Sequence, residues 1–166
     1  MGQINRVVTM AAAVVVAAPL APALTNGAGT ATASDSTFMP FSQLLRRCDF
    51  SETDYNGPTG NARPTADIRS DGSQVSADVQ LVLAIPNIPY EVRLIQAPRP
   101  SSAPCWGGDP GVAQATLHTD GAGAGTVTLS DAIEPGTTGV WLFVSRPDAF
   151  SQNPAEFYTT DLIAKI

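Results

Sequence analysis

Between Gln74 and Ala84 the chain reads QVSADVQLVLA, apolar at every second position. A period of two matches the pleat of a β-strand, where successive side chains point to opposite faces, and matches no helix. Val75, Ala77, Val79, Leu81 and Leu83 therefore share one face, and Ser76, Asp78 and Gln80 the other. The stretch predicts a half-buried strand. Thr65–Arg69 before it, with Ser70-Asp71-Gly72-Ser73 between, reads as a partner strand and a tight turn, because Asp-Gly between strand patterns favours a hairpin.

The rhythm then breaks and returns. Pro86 and Pro89 cannot donate to a ladder, so Ile85–Pro89 interrupts it. Tyr90–Gln96 resumes, with Tyr90, Val92 and Leu94 inward. Further strands are expected at Val112–Thr119, Thr126–Ser130, Val140–Ser145 and Phe157–Ile166, the last with Tyr158, Thr160, Leu162 and Ala164 alternating. VWLFVS at Val140–Ser145 is nearly all apolar, as in a strand inside a sheet core. Residues Ala97–Gly111 form a long Pro/Gly loop, while Asp120–Gly125 and Glu134–Gly139 are turns, the first making a hairpin. A first strand is expected near Arg47–Tyr55, with at most one helical turn at Pro40–Arg46. The predicted fold is all-β: an immunoglobulin-like antiparallel β-sandwich of about seven strands, with a small β-barrel as the alternative.

This domain does not start at Met1. Arg6 precedes an uncharged apolar run, Val7–Leu20, and Ala31-Thr32-Ala33 then offers small residues where a signal peptidase reads. That is the layout of a secretory signal. The run is shorter than the roughly 20 residues a spanning helix needs, and Pro19 and Pro22 stand where such a helix would continue. Residues 1–33 are read as a signal peptide and 34–166 as one domain, with Ala21-Pro22-Ala23 as a second cleavage site. The expected location is secreted or at the cell envelope, with no stable membrane span after cleavage.

Loss of Arg6 changes the net charge from −6 to −7, with one lysine, Lys165. An acidic surface of this kind excludes nucleic acid and anionic membranes as partners, since both require Lys/Arg stripes. Cys48 and Cys105 are the two cysteines. An even count in an exported chain predicts one disulfide, Cys48–Cys105, with a pair of free thiols as the alternative. Two cysteines and one histidine do not complete a tetrahedral zinc site without carboxylates.

Catalytic sets are missing. His118 is the lone histidine and stands two residues before Asp120; it reads as a surface residue beside a turn rather than a general base. No G-x-S-x-G elbow accompanies it. Asp120–Gly125 has Ala and Gly where calcium would want oxygens, so it reads as a turn with positive φ at glycine. Asp49, Glu52 and Asp54 read as a solvated acidic loop. Neither catalytic residue, metal nor cofactor is expected. Trp106, between Cys105 and Gly107-Gly108, either covers the disulfide or stacks on a ligand or partner. Arg99, with Arg93, and Phe150 in the polar loop Arg146–Pro154 are the other candidate contacts. Trp141 is expected in the core.

Several stretches carry a resemblance: Arg47-Cys48-Asp49-Phe50, Ala84–Tyr90, VRLIQ at Val92–Gln96, the Cys105 loop, LHTDGAGAG at Leu117–Gly125 and Tyr158-Thr159-Thr160. Together they resemble small exported proteins of mycobacteria and related actinobacteria, a group without an assigned activity. The resemblance covers most of residues 34–166. It implies an immunoglobulin-like secreted domain and an actinobacterial source, and it implies no catalytic residues. The expected function is an exported, non-enzymatic interaction module with a protein or glycan partner. The alternative is a binder of a carbohydrate or lipid head group.

Overall fold

The computed structural model describes residues 35–55, 60–151 and 153–166. The expected signal segment and both candidate cleavage sites lie outside the described residues. The remainder is all-β and antiparallel, with nine strands: β1 Thr37–Ser42, β2 Arg63–Ser70, β3 Gln74–Val82, β4 Pro89–Ala97, β5 Val112–His118, β6 Gly125–Ala132, β7 Gly139–Arg146, β8 Glu156–Thr160 and β9 Ala164–Lys165. Among the described residues no helix is long and apolar enough to cross a membrane.

The strands form two faces joined by β1. One sheet runs β1-β2-β3-β6; the other runs β5-β4-β7-β8, with β9 beside β7. Residues 37–40 of β1 pair with β2, and Phe41 and Ser42 pair with β8, so β1 passes from one sheet to the other. At the far ends of the path, β5 and β6 run close together, and the sheet nearly closes on itself. Strands β2–β8 alone give seven strands split three and four. Relative to a constant-type immunoglobulin domain, whose fourth strand joins the first sheet, the fourth strand here (β5) lies in the second.

The expected count of about seven is therefore corrected to nine. Thr37–Ser42 is a strand, not the approach to a helical turn. The strand expected near Arg47–Tyr55 is a loop closed by a single bridge, Arg46 to Glu52. The C-terminal segment divides into β8 and the short β9. Asp120–Gly125 does not close a hairpin either: β5 pairs with β4, β6 pairs with β3 over eight residue pairs, and the loop crosses between sheets. The Asp71-Gly72 hairpin forms as expected, with Asp71 Oδ1 accepting from the backbone N–H of Ser73 and Gln74.

The two sheets differ in what covers them. The β2-β3-β6 sheet is buried on one side only, so β3 alternates strictly: Val75, Ala77, Val79 and Leu81 are buried between the sheets. Leu83 breaks that row. Its φ is +59° and it is 68% exposed, because the chain swings out to let the Ala84 N–H reach the Gly123 carbonyl. The β4-β7-β8 part of the second sheet is buried on both sides. Tyr90, Val92, Leu94, Leu142 and Val144 face the inter-sheet core, while Ile95, Trp141, Phe143 and Phe157 face outward into a second cluster. Leu45, Cys48, Phe50 and Tyr55 of the β1–β2 loop cover that outer cluster. This two-sided burial explains the unbroken apolar run of β7.

Candidate functional site

The outer cover is fastened by chemistry the sequence predicted. Cys48 and Cys105 are disulfide-bonded, with Cα atoms 5.5 Å apart and a sequence separation of 57. The bond ties the β1–β2 loop to the β4–β5 loop over the outer face of β4 and β7. Phe50 meets Trp141 edge-on at 5.4 Å between centroids, and the Arg46 guanidinium lies 4.1 Å above the Phe50 ring. Trp141 is buried as expected, but in this outer cluster rather than between the sheets.

A cleft of about 390 Å³ opens beside this cover, between the disulfide-tied loops and the Pro147–Pro154 loop. Its floor comes from alternate residues of β4 and β7, namely Glu91 and Arg93, Phe143 and Ser145. Alternation placed these four opposite the inter-sheet core, so without the loop they would face water. Trp106 forms part of the rim and is 63% exposed.

Arg93 organises the cleft. It is only 6% exposed, and its guanidinium packs against two rings, 4.8 Å from the Trp106 centroid and 4.4 Å from that of Phe143. Nη1 donates to the Cys105 carbonyl at 2.8 Å. Glu91 Oε1 lies 3.0 Å from Nε but off the N–H axis, so Nε has no hydrogen-bond acceptor among the described residues. Burial lowers the Arg93 pKa and the Glu91 charge opposes that shift; the guanidinium stays charged. Sequence reasoning took Arg93 for part of a weak surface patch. Its burial depends on a loop some forty residues away, which no local pattern reports.

The other predicted residues are dispersed. Phe150 is fully exposed at the tip of the loop that forms one cleft wall. Arg99 lies outside the cleft, where its guanidinium donates to the carbonyls of Pro104 and Pro110 and shapes the Cys105 loop. His118 is exposed at the end of β5. Asp120 Oδ1 accepts from the N–H groups of Ala122 and Ala124 at 2.8 and 2.9 Å, and these bonds hold its carboxyl below its usual pKa. Asp49 accepts from Ser51, and Glu52 pairs with Arg46 at 3.3 Å. No carboxylate, histidine and cysteine grouping suited to a metal occurs among the described residues.

A second polar site escaped the sequence. Glu156 is buried in β8 and accepts from the Tyr158 hydroxyl at 2.6 Å and the Tyr90 hydroxyl at 2.9 Å, with Arg146 Nε at 3.3 Å. The tyrosine oxygens in turn accept from the N–H groups of Ala62 and Ile85. Every polar group here has a partner, which is the arrangement of a structural clasp. No protein family matches the chain, and no curated protein or solved structure matches it.

Proposed function

We propose that the chain is an exported, non-enzymatic binding module that engages a protein or glycan partner through the cleft edged by Trp106. The observation that carries this reading is Trp106 itself. It is a large aromatic side chain left mostly in water, yet fixed in place by a buried arginine beneath it and a disulfide beside it. Exposed aromatics set beforehand in one conformation lose little entropy on binding and commonly anchor interfaces. Phe150 extends the same surface.

Export belongs to the same proposal, as does membership among the small exported proteins of mycobacteria and related actinobacteria. The supports are the N-terminal signal layout and the disulfide, a bond that persists in oxidising compartments. The ligand reading, a carbohydrate or lipid head group, shares the same cleft and is favoured by its size.

A photo-cross-linking side chain placed at position 150, in protein secreted by its native culture, tests the reading. The expected result is a discrete adduct at 150 that is missing when the probe is placed at Phe38, an exposed residue of β1. Equal labelling at both positions, or none at either, contradicts it.

A further inference from the structure

The mature chain is acidic, yet three of its eight basic residues, Arg46, Arg47 and Arg93, line the one cleft described above. Glu91 and Asp148 line it too, and Glu52 pairs with Arg46 from outside, so the walls are mixed rather than simply basic. What distinguishes the cleft is unmet donor capacity. Arg93 and Arg46 each have a side chain more than nine-tenths buried, and each keeps an Nε–H without an acceptor among the described residues. A buried donor on a charged group is costly to leave unpaired, and natural structures seldom leave one without a reason.

The geometry at Arg93 says what would fill the gap. The Trp106 and Phe143 rings both lie within 5 Å of the guanidinium carbon, and the Cys105 carbonyl takes Nη1. The edge at Nε is buried and faces only the misaligned Glu91 carboxylate, 3.0 Å away. A planar guanidinium edge matches the two oxygens of a carboxylate, and the low-dielectric setting strengthens the pair. Leu45, Pro147 and Pro154 supply apolar wall to the same cleft. We propose that the cleft binds a carboxylate carried on a compact apolar body, with the acid on the Arg93 Nε edge and the body against those walls. Glu91, misaligned and partly exposed, is the group the ligand displaces. This rests on the reading of the cleft as a binding surface.

The test follows the Arg93 Nε–H resonance of the intact disulfide-bonded protein during titration. The probes are sodium benzoate and an acetylated tripeptide with a free C-terminal phenylalanine; benzamide and the C-terminal amide of the peptide are the neutral controls. Saturable displacement of the resonance by the acids, with the neutral forms about tenfold weaker or worse, is expected. Tighter binding of the peptide assigns the carboxylate to a protein terminus, and tighter benzoate binding assigns it to a free organic acid. Glu91→Gln, which removes the competing charge and leaves the guanidinium in place, should tighten acid binding several-fold. Arg93→Lys, which keeps a charge but loses the planar edge, should weaken it about tenfold. Neutral forms binding as well as acids, no saturable shift with any probe, or an unchanged affinity in Glu91→Gln overturns the inference. A cross-link at position 150 obtained alongside any of these would leave the binding surface standing and remove only its acid specificity.

Discussion

Gly123 shows how a single residue sets the path of the chain. Its φ is +75°, and a Cβ there would fall 2.1 Å from the Ala84 carbonyl oxygen. Backbone on the other side cannot retreat, because the Ala84 N–H bonds the Gly123 carbonyl at 3.0 Å. Gly123→Ala should therefore destabilise the fold by about 2–4 kcal/mol, adding a steric clash to the cost of the left-handed conformation. A denaturant midpoint reads this directly, and a change under about 0.5 kcal/mol would show that the loop relaxes freely. Gly136, with positive φ and open space around its Cβ position, is the control, and Gly136→Ala should cost less. Leu83 is the residue where alternation misleads. Its apolar side chain fits the β3 row, but the close approach of the Gly123 loop, a long-range event, turns it outward.

At the scale of elements, apolar patterning located β2 to β8: alternation where one face is buried, and an unbroken apolar run at β7 where both are. It failed at β1, which carries Pro40 and pairs with two different sheets along six residues, leaving no single buried face to read. The disulfide was legible from residue type, and the loop position of Trp106 from the Pro/Gly composition around it. The cleft floor was not, since Arg93 and Phe143 would face solvent without the Gln43–Tyr55 loop. That loop makes few backbone bonds of its own, among them Thr53 N–H to Leu45 carbonyl and Arg47 N–H to Ser51 carbonyl. It depends on the Cys48–Cys105 link. Cys48→Ser should lower stability by on the order of 4 kcal/mol and Tm by roughly 10 °C. Hydrogen exchange should rise more at Thr53 than at Val79 of β3. An unchanged melt, or uniform exchange, would show that the loop holds itself.

Across the whole molecule, the two sheets are joined at one end by the Glu156 clasp. Burial pushes the Tyr90 pKa up to about 12, and burial with the Glu156 charge pushes Tyr158 up as well. A raised pKa means that the folded state favours the neutral hydroxyl. This contribution is complete below pH 10, where unfolded tyrosine is also neutral, and is lost as pH climbs from about 10 to about 12. Urea midpoints should therefore be lower at pH 11 than at pH 8. Tyr90→Phe should shrink that fall while lowering stability at pH 8, because Glu156 loses a donor. A fall of equal size in the variant would remove Tyr90 as its source.

The scaffold as a whole builds one covered outer face. Two-sided burial of β4 and β7 builds a rigid floor, the disulfide fixes the cover, and Trp106 stands in water at the edge. The most direct test compares wild type and Trp106→Ala as baits in the native culture medium, after near-equal Tm values establish that both fold. The account predicts a discrete bound species on wild type that Trp106→Ala does not retain. The same species held equally by both proteins would contradict it.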